Sequence, residues 1–224
     1  MSNVLFKKIK SILLSALILF PLTSFSSGAS IHLEKANNSI HDTASLQRGA
    51  VLFTTMCMTC HSVKYMRYNR VAQDLGWTDK EVLKKLNKTN NRVVDSMMGS
   101  MSEEVAVAAF GTKVPDLSLM ARLKGADYIY TFLRSFELDL KTGRFNNHVL
   151  PGTVMPNIMP KPKGEEALKE YNQKTRDLVN FLEYVGEPAK LKRHDLGWKV
   201  MLFLFIMFIF AYLLKKEYWK DVEH

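Results

Sequence analysis

The sequence predicts a mainly α-helical domain with long loops, followed by one C-terminal helix that crosses a membrane. Three observations predict this. Apolar residues recur at helical spacing in two separate segments: Leu46, Ala50, Phe53 and Cys57 early on, and Leu168, Tyr171, Leu178, Leu182 and Val185 near the end, with Thr175 on the same face. Residues 138–163 hold two glycines and four prolines and read as one long loop, and loops of that length in a compact domain tend to serve a function. Trp198–Leu214 is an apolar run of 17 positions, reaching roughly 25 Å, close to the thickness of a bilayer's hydrocarbon. Trp198 at one edge and Tyr212, Tyr218 and Trp219 at the other sit where interfacial aromatics sit.

In order, the first helix runs from Ala44 to Met56 with Ser45 as its N-cap. Gly49 in its middle costs roughly 1 kcal/mol against alanine, which fits either the close approach of another element or simple tolerance. A segment from Val63 to Leu75 follows, and Thr78 or Asp79 caps a helix to about Leu86. Residues 87–102, rich in Asn, Ser and Met, read as an irregular loop, and Glu103–Phe110 as a short helix. Pro115 biases Val114 away from helix, so 114–118 is extended or a turn. Helices Leu119–Arg122, ended by Gly125, and Asp127–Phe136, with Tyr128, Phe132 and Leu133 inward, come next. After the long loop the last helix of the domain runs from Glu165 to about Val185 and is closed by Gly186 and Pro188. Residues 187–197 form a polar tether to the membrane helix.

The two ends set the compartment. Lys7, Lys8 and Lys10 precede an apolar stretch from Ser11 to Phe25, and the small residues Ser27-Gly28-Ala29 follow, so 1–29 reads as a signal peptide cleaved after Ala29. Residues 30–196 are then exported as a periplasmic domain, 197–214 span the bacterial inner membrane once, and the tail 215–224 stays in the cytoplasm. Of the formal net charge of +9, the first 29 residues hold +3 and residues 200–224 hold none, which leaves +6 on 30–199. A basic exported domain points to an anionic membrane surface or an acidic protein rather than to nucleic acid.

The motif at the centre of this domain is Cys57-Met58-Thr59-Cys60-His61. C-x-x-C-H is the attachment signature of one covalently bound c-type haem: two cysteines within one turn present their sulfurs to the two vinyl groups, and the next residue is placed to ligate the iron. A thioredoxin-like redox pair would need a βαβ setting, and a zinc site a second ligand pair nearby; neither is visible. Cys57 and Cys60 are the only cysteines, so they become the thioether sites and His61 the proximal ligand. The second axial position takes a thioether or an imidazole. The candidates, in order of preference, are Met155 in the proline-stiffened segment 154–160, Met159, Met120 and His148.

Several segments together resemble one family. They are Ser45–Ala50 ahead of the motif, Arg67-Tyr68-Asn69-Arg70, Pro115-Asp116-Leu117-Ser118 with Arg122, Gly152–Pro156, Arg176-Asp177-Leu178, Gly186-Glu187-Pro188, and Lys216–Asp221 after the apolar helix. Over nearly the whole mature chain this is similar to bacterial cytochrome c1, the haem subunit of the quinol–cytochrome c oxidoreductase (bc1) complex. The resemblance implies a mainly helical cytochrome c-type haem domain and Met155 as the distal iron ligand. It implies Arg122 by the haem propionates, and Pro115 and Tyr128 in the haem pocket. It further implies cytochrome b and the Rieske iron–sulfur protein as companion subunits, a cytochrome c as electron acceptor and a dimeric complex. Mitochondrial members are longer and present an acidic docking face, whereas this domain is basic.

The resulting expectation is an electron-transfer subunit with no catalytic site of its own. Two alternatives share the motif: an independent membrane-tethered shuttle to a terminal oxidase or reductase, and a haem enzyme or gas sensor with an open distal site.

Overall fold

The computed structural model describes residues 31–87, 90–140 and 143–220. The chain divides into residues 1–32, of which only the irregular Ile31 and His32 are described, and a unit from Leu33 to His224. The expected signal peptide lies outside the described residues.

The scaffold of the second unit is a helix pair. Helix α1 (Thr43–Leu52) lies along the longest helix of the domain, α7 (Glu165–Gly186). The crossing is possible because position 49 has no side chain: a Cβ there would fall 2.0 Å from the Asp177 carbonyl oxygen and 2.8 Å from Phe181 Cβ. Of the two roles open to Gly49, close approach is the one observed. Phe53, Phe181 and Tyr184 form a ladder of rings across this contact, with centroids 5.6 and 6.0 Å apart.

A buried polar knot fixes the same contact. Asp177, whose side chain is 2% exposed, accepts from Arg48 Nε at 2.7 Å and from the Ser45 hydroxyl at 2.7 Å. Asn180 Nδ2 in turn donates to Ser45 Oγ at 3.0 Å and to the Ser39 carbonyl at 2.8 Å. The N-cap is therefore Asp42, whose carboxylate accepts from Ser45 N–H at 2.9 Å, and not Ser45. A serine hydroxyl caps only if nothing better claims it, and here a buried carboxylate does.

Beyond α1 the chain winds into a π-helical turn, Phe53–Cys57, where the hydroxyls of Thr54 and Thr55 donate back to carbonyls of the preceding turn. Strand β1 (Val63–Arg67) and helix α2 (Tyr68–Leu75) follow, then α3 (Asp79–Leu86), opened by a capping box between Thr78 and Glu81. Strand β2 (Ser96–Met97) pairs antiparallel with β1 inside the expected irregular loop. Two residues of pairing leave no periodicity to read. Helix α4 (Glu103–Phe110) is capped by Ser102 and ended by Gly111 at φ +72°.

Helices α5 (Met120–Lys124) and α6 (Ala126–Arg134) pack on α7. Here the expected helix to Phe136 is corrected: α6 stops at Arg134, and Phe136 opens a hairpin of β3 (Phe136–Asp139) and β4 (Arg144–Asn147), which takes up the first part of the expected loop. Phe136 is buried, whereas Leu138 and its cross-strand partner Phe145 are both exposed, so the hairpin carries no in-and-out alternation that a reading of the sequence could detect. The expected tether is corrected too. Helix α8 (Lys190–Tyr218) begins eight residues before Trp198 and runs on without a break, its first turn anchored to α7 by Lys190–Glu183 at 2.5 Å and to Glu187 by Arg193. Over Leu196–Tyr218 it is long and apolar enough to cross a membrane, at about 1.5 Å per residue, and among the described residues it is the one helix that is.

Candidate functional site

The π-helical turn aims the end of α1 at a cavity of about 570 Å³, well within the range of cofactor pockets. Met56, Cys57, Cys60 and His61 form part of its wall. Phe110, residues 112–115, Leu117, Met120 and the inward faces of α6 and α7 (Tyr128, Ile129, Phe132, Leu133, Leu178 and Leu182) form the rest, together with Leu150–Pro156 and Ile158 from the loop after β4. The lining is apolar nearly throughout; among the described residues its only charged side chains besides the titratable motif residues are Lys113 and Lys124.

His61 is held by its ring. Nδ1 donates to the Pro115 carbonyl at 2.8 Å, since a carbonyl oxygen only accepts. That bond places the proton on Nδ1 and leaves the Nε2 lone pair for a metal. Burial lowers the pKa of His61 below its ordinary value, against the opposing pull of the Pro115 carbonyl and Asp116, so the ring is kept neutral and able to ligate. Burial pushes the Cys57 thiol up to about 12, with the Cys60 charge adding to it; this is a sulfur in apolar surroundings, not a thiolate in water.

The turn itself is clamped from a second side. Ser100 N–H donates to Met58 O at 3.2 Å, Met101 N–H to Thr59 O at 3.1 Å and Gly99 N–H to Ser62 Oγ at 2.8 Å. A Cβ on Gly99 would sit 3.1 Å from Cys60 O and from His61 C and O. The role of Gly99 is invisible in the sequence, because its partners lie almost 40 residues away.

The expected site residues separate cleanly. Cys57, Cys60, His61, Pro115, Tyr128 and Met155 all line the cavity. Of the four distal candidates, Met155 and Met120 line it, both half-buried. Met159 is in the apolar core at 6% exposure and does not line it, and His148 faces solvent with Nε2 at 2.9 Å from Glu137. Arg122 is exposed on α5 and is not part of the lining, whereas Lys124, two residues on, is. Leu178 and Leu182 are the inward face that the helical spacing had marked out.

The donor set fits an iron porphyrin. Two sulfurs, one imidazole with a free Nε2 and thioethers open onto one apolar space, and among the described residues no group of three or more His, Cys, Asp or Glu side chains gathers to hold a bare ion. A metal bound here must bring its own equatorial ligands.

Comparison with known proteins agrees with this chemistry. The model of the cytochrome c1 family matches residues 34–109 and 84–222. The chain is 40% identical to cytochrome c1 of Allochromatium vinosum, over 96% of this chain and 99% of that one. It is 38% identical to the protein named ammonia monooxygenase gamma subunit of Nitrosomonas europaea, over 94% and 97%, and 26% identical to cytochrome c1 of Rhodospirillum rubrum, over 82% and 84%. The C-x-x-C-H wall, the apolar cavity and the C-terminal apolar helix are thus features of a shared ancestry: the chain belongs to the cytochrome c1 family, membrane-anchored electron-transfer subunits that carry one covalently bound haem c in the bc1 complex beside cytochrome b and the Rieske protein.

Proposed function

We propose that Cys57 and Cys60 hold the haem through thioether bonds, that His61 is the proximal iron ligand and that Met155 is the distal one. The observation that carries this is the position of Cys57, Cys60, His61 and Met155 on the wall of a single apolar cavity. When bound, the haem supplies a one-electron iron couple. The chain's own residues set the terms of that couple. Pro115 O fixes the tautomer of His61, the aliphatic and aromatic walls exclude water, and a Met thioether raises the reduction potential relative to a second histidine.

In the same reading, residues 1–29 are removed on export, the haem domain faces the periplasm and the C-terminus faces the cytoplasm, within a dimeric complex. The Rieske protein is the electron donor. The acceptor is a cytochrome c with an acidic face, since residues 30–199 carry +6.

The test is a pair of substitutions at the two cavity methionines. Met155→Leu is expected to abolish the methionine–iron charge-transfer band and to lower the midpoint potential by more than about 59 mV, a tenfold change for one electron. Met120→Leu is expected to leave both in place. The opposite pattern assigns the distal position to Met120.

A further inference from the structure

The hydrogen bond from His61 Nδ1 to Pro115 O joins two segments that are more than 50 residues apart. A single bond of this kind contributes only about 1 kcal/mol, so something else must hold the carbonyl in place. Residues 115–118 lie against residues 61–65, but they do not form a strand there. Only one backbone bond besides the His61 contact joins the two segments, Leu117 N–H to Ser62 O at 2.8 Å. The other two links come from side chains. Asp116 Oδ2 accepts from Lys64 N–H at 3.1 Å, and Ser118 Oγ accepts from Tyr65 N–H at 3.2 Å. The other oxygen of Asp116 accepts from Ser118 N–H at 2.9 Å, which ties the two side chains into one turn. Ser118 is 1% exposed, so water cannot take its place. Asp116 and Ser118 therefore imitate a strand edge on β1, with the Pro115 carbonyl as the rung that reaches the histidine ring.

We infer that Asp116 and Ser118 are positioning residues that hang the Pro115 carbonyl on His61 Nδ1 and thereby set the electron affinity of the iron that His61 ligates. The inference rests on His61 being the proximal ligand. A firmly held acceptor makes the imidazole a stronger donor, and a stronger donor favours ferric iron. Loosening the clamp lets the carbonyl drift, weakens the donor and favours ferrous iron. The chemistry assigns different jobs to the four residues of Pro-Asp-Leu-Ser: Pro115 offers the carbonyl, Asp116 and Ser118 fasten it, and Leu117 supplies both the backbone bond to Ser62 and a side chain on the cavity wall.

The experiment uses the full chain in its purified membrane complex, with redox titration of the c-type absorption band and hydrogen–deuterium exchange of the peptides covering 62–67 and 115–119. Ser118→Ala changes no charge. It is expected to shift the ferric-to-ferrous ratio at fixed potential about tenfold toward ferrous, which is about 59 mV for one electron, and to speed exchange in both peptides. Ser118→Thr restores the hydroxyl and is expected to restore both readouts. Asp116→Asn leaves one carbonyl oxygen where two carboxylate oxygens served, and is expected to act in the same direction as Ser118→Ala. Thr175→Val, a buried hydroxyl on α7 that bonds back to Tyr171 O at 2.8 Å, is the control and is expected to move neither.

His61→Met separates the two layers of the argument. An unchanged haem spectrum in that variant overturns the proximal assignment. A changed one, together with a wild-type midpoint in both Ser118→Ala and Asp116→Asn, overturns the clamp alone. Should neither clamp variant assemble, the unaltered protein still decides: fast exchange of the Lys64 and Tyr65 amides means no clamp exists, and slow exchange supports it.

Discussion

Replacing Gly49 by alanine tests the helix crossing on which the haem wall is built. In an exposed helix the change would stabilise by about 1 kcal/mol. Here the new Cβ would lie 2.0 Å from Asp177 O, 2.7 Å from Asp177 C and 2.8 Å from Phe181 Cβ, against an ordinary contact of at least 3.4 Å. Two of these three atoms are backbone, so no rotamer change relieves the clash. The helices must separate by about 1.4 Å, and overpacking of this kind costs about 3 kcal/mol or more. The separation also strains the Arg48–Asp177 and Ser45–Asp177 bonds beside it. Setting the gain of about 1 against the loss of about 3 leaves a net destabilisation of about 2 kcal/mol, a fall of roughly 4–8 °C in melting temperature for a chain of this size. The assay is thermal unfolding of the holoprotein followed at the haem absorption band. A melting temperature equal to or above that of the unaltered protein would show that α1 and α7 do not cross at this distance, and the account of Gly49 would fall with it.

Further outcomes follow from other contacts. Asp177→Ala leaves the Ser45 hydroxyl and one face of Arg48 without an acceptor, and is expected to destabilise by about 1–3 kcal/mol in the same melt; the range stays below that for a fully buried pair because Arg48 is 48% exposed and can rehydrate. The Lys35 ammonium, helped by the Ala36 N–H, holds the Asp127 carboxyl below its ordinary 3.8. The tie between residues 35–36 and α6 is therefore complete above pH 3.8 and weakens as pH falls through the lowered folded value; hydrogen exchange around Ala36 should accelerate only in that acid window. Acceleration already between pH 7 and 5 would contradict it. Electron transfer to an acidic acceptor should slow as ionic strength rises from 10 to 300 mM, where screening shortens from ~30 Å to under ~10 Å; a salt-independent rate would remove the electrostatic argument for that partner.

Elements whose signal lies within a few residues were legible in the sequence. Thr78, one of the two caps expected, announced α3, and the periodic face from Leu168 to Val185 announced α7 and, through Leu178 and Leu182, part of the cavity wall. The hairpin of Phe136–Asp139 and Arg144–Asn147 was missed because each strand is only four residues long and shows no in-and-out alternation. The helical start of α8 at Lys190 was missed because its polar residues resemble a linker until Glu183 and Glu187 are seen to pair with Lys190 and Arg193. Two of the four distal candidates fell away for the same kind of reason: the partner of His148 is Glu137 on the neighbouring strand, and Met159 turns into the core.

By itself the sequence determined the chemistry that one turn of chain can encode: two sulfurs and an imidazole at C-x-x-C-H spacing, the apolar run that anchors the protein, and the Thr78 cap of α3. These depend on neighbours a few residues apart, whose relative placement the backbone dictates. Only the tertiary structure decided which methionines face the cavity, why α1 carries a glycine, which acceptor claims the Ser45 hydroxyl and what holds the ring of His61. Each of those answers is a contact between residues more than 50 positions apart, and such contacts are selected by how whole helices and loops pack, where an ångström of separation outweighs any local preference.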